Sequence, residues 1–170
     1  MIYPIYRLPA ADSPVDQDDL VEDCPVLLLA SFDANTLAAQ EVASPRGRVI
    51  VLTQSCDLPN QKVKFALCVR IIDAQSQVDQ GLLKAADVRG PIRAGRVFGW
   101  YFLPKTVEFG LPEMIVDLRQ LHTVRLDLLI ELCRRGQRRA QVQPLYREHL
   151  AKHFADTYSR IGLPQPYETD

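Results

Sequence analysis

Several features that would assign a chain to a special class are missing here. No apolar run approaches a membrane span: the longest, 24–32, is about half of the roughly 20 residues a spanning helix needs. Net charge is −1, from 20 Lys and Arg against 21 Asp and Glu, so the whole chain lacks the strong field that draws nucleic acid or an anionic membrane. The four cysteines, Cys24, Cys56, Cys68 and Cys133, are widely spaced and contain no CxxC pair. That argues against structural zinc and thioredoxin-like chemistry, and fits free thiols in a reducing compartment. Near Met1 there is no basic residue ahead of an apolar run, and Pro4 interrupts the segment, so the expectation is a cytoplasmic protein with no leader and no membrane partner. No internal repeat or low-complexity tract is visible. What remains, 170 residues of which 47% are hydrophobic, is enough for one globular domain with its own core.

The near-zero charge hides a segregation. Residues 1–24 carry a net −5, residues 84–105 a net +4 and residues 119–160 a net +5. The branched, apolar stretches 25–32 and 48–53, bounded by Pro, Gly, Asp and Ser, predict buried strands. Residues 63–72 alternate, with Val63, Phe65, Leu67 and Val69 on the predicted core face and Lys64, Ala66, Cys68 and Arg70 on a mixed one. Strands are predicted at 97–103 and 114–117, with Phe98, Trp100 and Phe102 facing the core. The back half predicts two helices, one from Asp127 to Cys133 stopped by Gly136, and one from Pro144 to about Arg160. The core stripe of the second is Tyr146, Leu150, Phe154 and Tyr158, closed by Ile161. The fold class expected is α+β: a small SH3-like β-barrel or curled antiparallel sheet over residues 1–124, with a helical part over 125–163 in the same domain.

Three residue sets carry candidate chemistry. Gln54, Ser55, Cys56 and Asp57 follow a buried strand, before Pro59 and Asn60, and strand ends are common places for a site. Cys56 would be a nucleophile or redox thiol with Asp57 as polar partner, and His122 the base that folding would have to bring near. The same residues equally fit a structural turn around a small buried cysteine. His149, His153 and Asp156 share a helix face at i, i+4, i+7, the spacing of a weak metal candidate; without an HExxH pattern no metal or other cofactor is expected. Arg89, Arg93 and Arg96 beside Trp100 and Tyr101, with Arg134, Arg135, Arg138 and Arg139 further on, fit phosphates and stacked bases. The acidic amino-terminal segment could instead neutralise those arginines inside the fold.

The segment Leu52-Thr-Gln-Ser-Cys-Asp-Leu58 resembles small uncharacterised bacterial proteins in which a hydrophobic strand ends in Gln-x-Cys-Asp-Leu/Ile. The similarity extends to Arg96–Pro104, to Asp117–Val124 and to the Ser-Arg-Ile-Gly-Leu-Pro segment 159–164; that family brings no activity with it. More distantly, Asp16–Leu29 and Arg48-Val-Ile-Val-Leu-Thr resemble the opening of PemK/MazF-type toxins, SH3-like barrels that cleave RNA. That resemblance implies Arg48 in the place of the catalytic arginine, although the proline that follows it in those toxins is absent. Two functions are therefore expected. One is an RNA- or DNA-associated barrel of a bacterial stress, toxin–antitoxin or phage-defence module, with Arg48, Gln54, Cys56 and Asp57 at its site and ribonuclease activity as its reaction. The other is a non-catalytic interaction domain that meets a protein partner or a second copy of itself, with QSCD as a turn.

Overall fold

The computed structural model of the protein describes residues 4–58 and 62–159. Pro59, Asn60, Ile161 and the segment from Arg160 onward therefore lie outside the described residues. The strands are β1 (Tyr6–Arg7), β2 (Asp19–Pro25), β3 (Leu28–Phe32), β4 (Ala39–Ala43), β5 (Arg46–Val51), β6 (Phe65–Asp73), β7 (Trp100–Leu103), β8 (Met114–Arg125) and β9 (Arg138–Val142). The helices are α1 (Ala74–Asp79), α2 (Ala85–Asp87), which runs into a π-helical turn at Val88–Ile92, α3 (Leu126–Arg134) and α4 (Tyr146–Tyr158).

Seven strands form one antiparallel sheet in the order β1-β9-β2-β5-β6-β8-β7, and β3 and β4 form a separate hairpin. This is the expected α+β class with an antiparallel sheet and C-terminal helices. The sheet is open: no ladder joins β1 to β7 among the described residues. It curls far enough, however, for the Tyr6 hydroxyl to donate to the Pro104 carbonyl just beyond β7, at 2.8 Å.

Both faces of the sheet are covered, which is why simple alternation misassigned some strands. One face packs Leu20, Ile50, Val69, Tyr101 and Leu118 beneath Leu150 of α4. The other packs Val21, Val49, Ala66 and Cys68 beneath Leu126, Leu129 and Leu132 of α3. In β6 the expected mixed face is thus fully buried at Ala66 and Cys68, while Phe65, expected inside, is 54% exposed. In β7 the inward residues are Tyr101 and Leu103, not Phe98, Trp100 and Phe102; Trp100 and Phe102 pack instead with Val88, Ile92 and Ile115 at the end of the sheet.

The helix α3 follows its sequence closely. Leu126, Leu129, Leu132 and Cys133 fall on one face and are buried, and Gly136 at φ +79° ends the helix, a conformation that favours glycine. The N–H groups of Gly136 and Gln137 close the end on the Cys133 and Leu132 carbonyls. In α4, Leu150 is the fully buried core residue, with Tyr146 and Phe154 packed beside it, and Glu148 accepts from the Leu145 N–H at the helix start. The helix begins two residues later than Pro144 predicts.

Two further differences matter for function. The stretch 138–142, for which the sequence predicts no element, is a strand, because Ala140 and Val142 fill the core and Gln141 and Arg138 find partners inside the fold. The run 25–32 is not one buried strand either. The chain leaves the sheet after Pro25, and β3 and β4 project as an arm whose residues are exposed almost throughout.

Candidate functional sites: the Gln54–Asp57 turn, the basic residues and the hairpin arm

After β5 the chain is held by the Leu67 backbone. The N–H groups of Leu52 and Thr53 both donate to the Leu67 carbonyl, and the Thr53 hydroxyl accepts from the Leu67 N–H at 2.7 Å. The turn itself closes through the Asp57 N–H on the Gln54 carbonyl at 3.0 Å. The Ser55 hydroxyl is buried and has no hydrogen-bond partner among the described residues. On the loop that enters β2, the Asp18 N–H donates to the Val51 carbonyl at 2.7 Å, which ties that loop to the end of β5. Burial would raise the Asp16 carboxyl, but hydrogen bonds from the Gln17 N–H and the Gln141 amide, with the Arg147 charge, hold it below the usual range.

Among the described residues no histidine lines the cleft that holds Cys56. Cys56 is exposed, and its Sγ lies 3.8 Å from Gln54 Oε1 in an open cleft of about 360 Å³ shared with Gln17, Arg147 and Glu148. Asp57 faces Lys62 at 4.0 Å. His122 sits opposite Cys68 on β8, two strands away from β5, where burial and then Arg70 lower its affinity for a proton. Arg48 lies near the start of β5, six residues and about 20 Å of extended chain from Gln54. Its guanidinium is spent on Glu22, with Nε at 2.8 Å and Nη2 at 2.5 Å from one carboxylate oxygen. The expected set Arg48, Gln54, Cys56 and Asp57 is thus brought together only in its last three members.

One residue of the acidic segment, Asp19, pairs with the basic ones, while Glu22 and Asp23 pair with Arg48 and Arg46 at the start of β5. Asp19 and Arg138 form a buried ion pair at 3.1 Å, and Arg138 also donates to the Ser13 and Pro14 carbonyls. Burial still pushes Asp19 up to about 6 despite the Asp16 N–H and Arg138. Asp23 pairs with Arg46. Arg134 and Arg135 both bind Glu131 one turn back on α3. Arg138 is accordingly removed from the phosphate-binding set: a guanidinium sealed by a carboxylate and two carbonyls has no face left for a ligand. Arg89, Arg93, Arg96 and Arg139 remain exposed, with the Arg93 guanidinium 5.6 Å from the Phe102 ring centre.

The metal candidate does not form. His153 is buried and His149 meets the Tyr101 hydroxyl through Nδ1 at 3.1 Å, while Asp156 turns to Lys152 at 2.7 Å. Among the described residues no group of three His, Cys, Asp or Glu side chains could hold a metal ion. No helix of the described residues is long and apolar enough to cross a membrane.

Two features escaped the sequence. Asp18 is fully buried at φ +63°, and neither carboxylate oxygen has a hydrogen-bond partner among the described residues. Burial pushes it up to about 8, with Arg147 opposing and Glu148, Asp16 and Asp19 reinforcing. The second is the β3–β4 arm. Leu27, Leu29, Phe32, Leu37 and Val42 are all more than half exposed on it, Leu37 reaching 77%. Its tip is ordered: Asp33 Oδ1 accepts from the Asn35 and Thr36 N–H groups at 2.8 Å, and the Leu37 N–H returns to the Asp33 carbonyl. Its base is anchored by buried Val26, whose N–H donates to the Pro45 carbonyl. The run of three leucines, 27–29, without alternation was the available signal, and it fits a buried strand equally well.

No family model, no curated protein and no solved structure matches the chain.

Proposed function

We propose that this protein is a non-catalytic protein–protein interaction domain whose docking element is the β3–β4 arm. One observation carries the proposal: a two-stranded arm with a hydrogen-bonded tip displays several large apolar side chains to water. An isolated two-stranded hairpin is marginal in water, and its free strand edges and apolar faces are what partners cover. The arm also offers both routes of strand recognition, main-chain pairing at an edge and side-chain burial on a face. On this reading the Gln54–Asp57 turn is structural, in keeping with its closure by the Asp57 N–H on the Gln54 carbonyl and with a Cys56 cleft that no described histidine lines.

The test is site-specific photo-crosslinking from Leu29 and from Leu37 in cells expressing the full chain. A discrete protein adduct is expected, and Val42→Glu on the same arm should abolish it. Absence of any protein adduct at either position would overturn the proposal.

Arg89, Arg93 and Arg96, exposed on one turn beside exposed Phe98, favour a second reading as a nucleic-acid-associated domain. The curl that brings Tyr6 to Pro104 supports kinship with SH3-like barrels, and with it the PemK/MazF resemblance; the Glu22 pairing of Arg48 counts against a ribonuclease centre there. Binding of mixed RNA that falls steeply with salt, and that a triple Arg89→Ala, Arg93→Ala, Arg96→Ala variant loses, would establish it.

A further inference from the structure

The arm is not the only apolar surface left open. Along the outside of α3 runs a groove of about 470 Å³ walled by Val63, Phe65, Leu126 and Ile130, with Lys64 and Arg125 at its edge. It shares Leu126 and Ile130 with a second cleft of about 380 Å³, floored by Val15, Leu58 and Cys133 and edged by Arg134. Phe65 is 54% and Ile130 41% exposed, so the side chains that would close the groove stand in water.

The two surfaces match in charge and length. Between residues 26 and 45 there are two acidic residues, Asp33 and Glu41, and no Lys or Arg. Around the two clefts, Lys64, Arg125, Arg134 and Arg135 outnumber Asp12, Asp127 and Glu131, a net +1 against the arm's −2. Five-residue strands give an arm about 17 Å long, and the nine residues of α3 span about 14 Å. An unrelated partner would account for one of these surfaces; a second copy of the chain accounts for both.

We infer that the β3–β4 arm of one copy seats in the α3 groove of a second copy, and that the exchange is reciprocal, giving a two-fold dimer. The inference rests on reading the arm as a docking element and adds its partner. Leu29, Phe32 and Val42 enter the apolar groove while Glu41 and Asp33 meet the basic edge, the arrangement in which burial supplies affinity and charge sets orientation. Reciprocal exchange closes the assembly at two copies, whereas one-way seating would propagate into filaments.

Sedimentation equilibrium of the full chain over a micromolar concentration series tests this. The unmodified chain is expected to be a concentration-dependent dimer. Phe32→Glu on the arm and Ile130→Glu in the groove should each weaken association roughly 30-fold or more, the size of losing a hot-spot side chain. Both positions are exposed, so circular dichroism should show each variant folded. Mixing the two variants restores one intact arm–groove contact, and the mixture should associate more tightly than either alone. A chain monomeric throughout the series, a dimer indifferent to Ile130→Glu, or a mixture no better than its components would overturn the inference. A monomer whose arm still crosslinks to a different protein would overturn only the choice of partner and leave the arm's docking role standing.

Discussion

The carboxyl of Asp18 makes a prediction that can be worked from the structure. It is fully buried without a hydrogen-bond partner among the described residues, and its proton is held up to about 8 where an exposed aspartate loses it near 3.8. In the unfolded chain the group ionises above about pH 4, while in the folded chain it keeps its proton until about pH 8. The folded state therefore binds the extra proton throughout this window, and stability falls as pH rises across it. Below pH 4 the penalty is small; at about pH 5 it amounts to roughly 1–2 kcal/mol, at pH 7 to about 4, and above pH 8 it levels off between about 5 and 6. Asp18→Asn removes the ionisation and keeps the shape, and asparagine tolerates the positive φ of this position. Urea denaturation of both chains from pH 5 to pH 9 should show the variant gaining on the parent as pH rises. Asp19, pushed up to about 6, adds a penalty of the same sign in both proteins and largely cancels in the difference. A difference that stays flat across the range would refute the reasoning.

Other outcomes follow from burial and pairing. Arg138→Met leaves Asp19 alone in the interior and should lower stability by about 3–5 kcal/mol, with much of the loss recovered when Asp19→Leu is added, both read by urea denaturation. Cys56→Ser, at an exposed thiol, should change stability by less than about 0.5 kcal/mol, whereas Cys68→Ser should lose about 1–3 by placing a hydroxyl in an apolar site. Leu129→Ala, on the buried face of α3, should cost about 2–5 kcal/mol in the same assay, with no change in crosslinking from the arm.

The elements that periodicity marks strongly were legible in the sequence, and those governed by distant partners were not. The spacing of Leu126, Leu129 and Leu132 with Gly136 beyond them defines α3, because a one-sided apolar stripe and a left-handed stop are local properties. Residues 65–72 are a strand for the same kind of reason, but both faces are covered, so alternation could not say which side is inside. Segment 138–142 carries no local strand signal, because Arg138 is buried only against Asp19, 119 residues earlier.

By itself the sequence determined the α+β class, the strands around 48–53, 63–72 and 114–117, the position of α3 and most of α4, and the segregation of charge along the chain. Tertiary structure alone decided how the acidic segment is paired: Asp19 with Arg138, Glu22 with Arg48 and Asp23 with Arg46. It likewise decided that the strand bearing His122 lies two places from β5, that Asp18 is sealed in the core, and that the three leucines following Val26 leave it for solvent. The physical reason is common to all of these. Composition and spacing set what each residue prefers, but burial and pairing depend on which distant residues the sheet order places opposite it, and that order is a property of the whole chain.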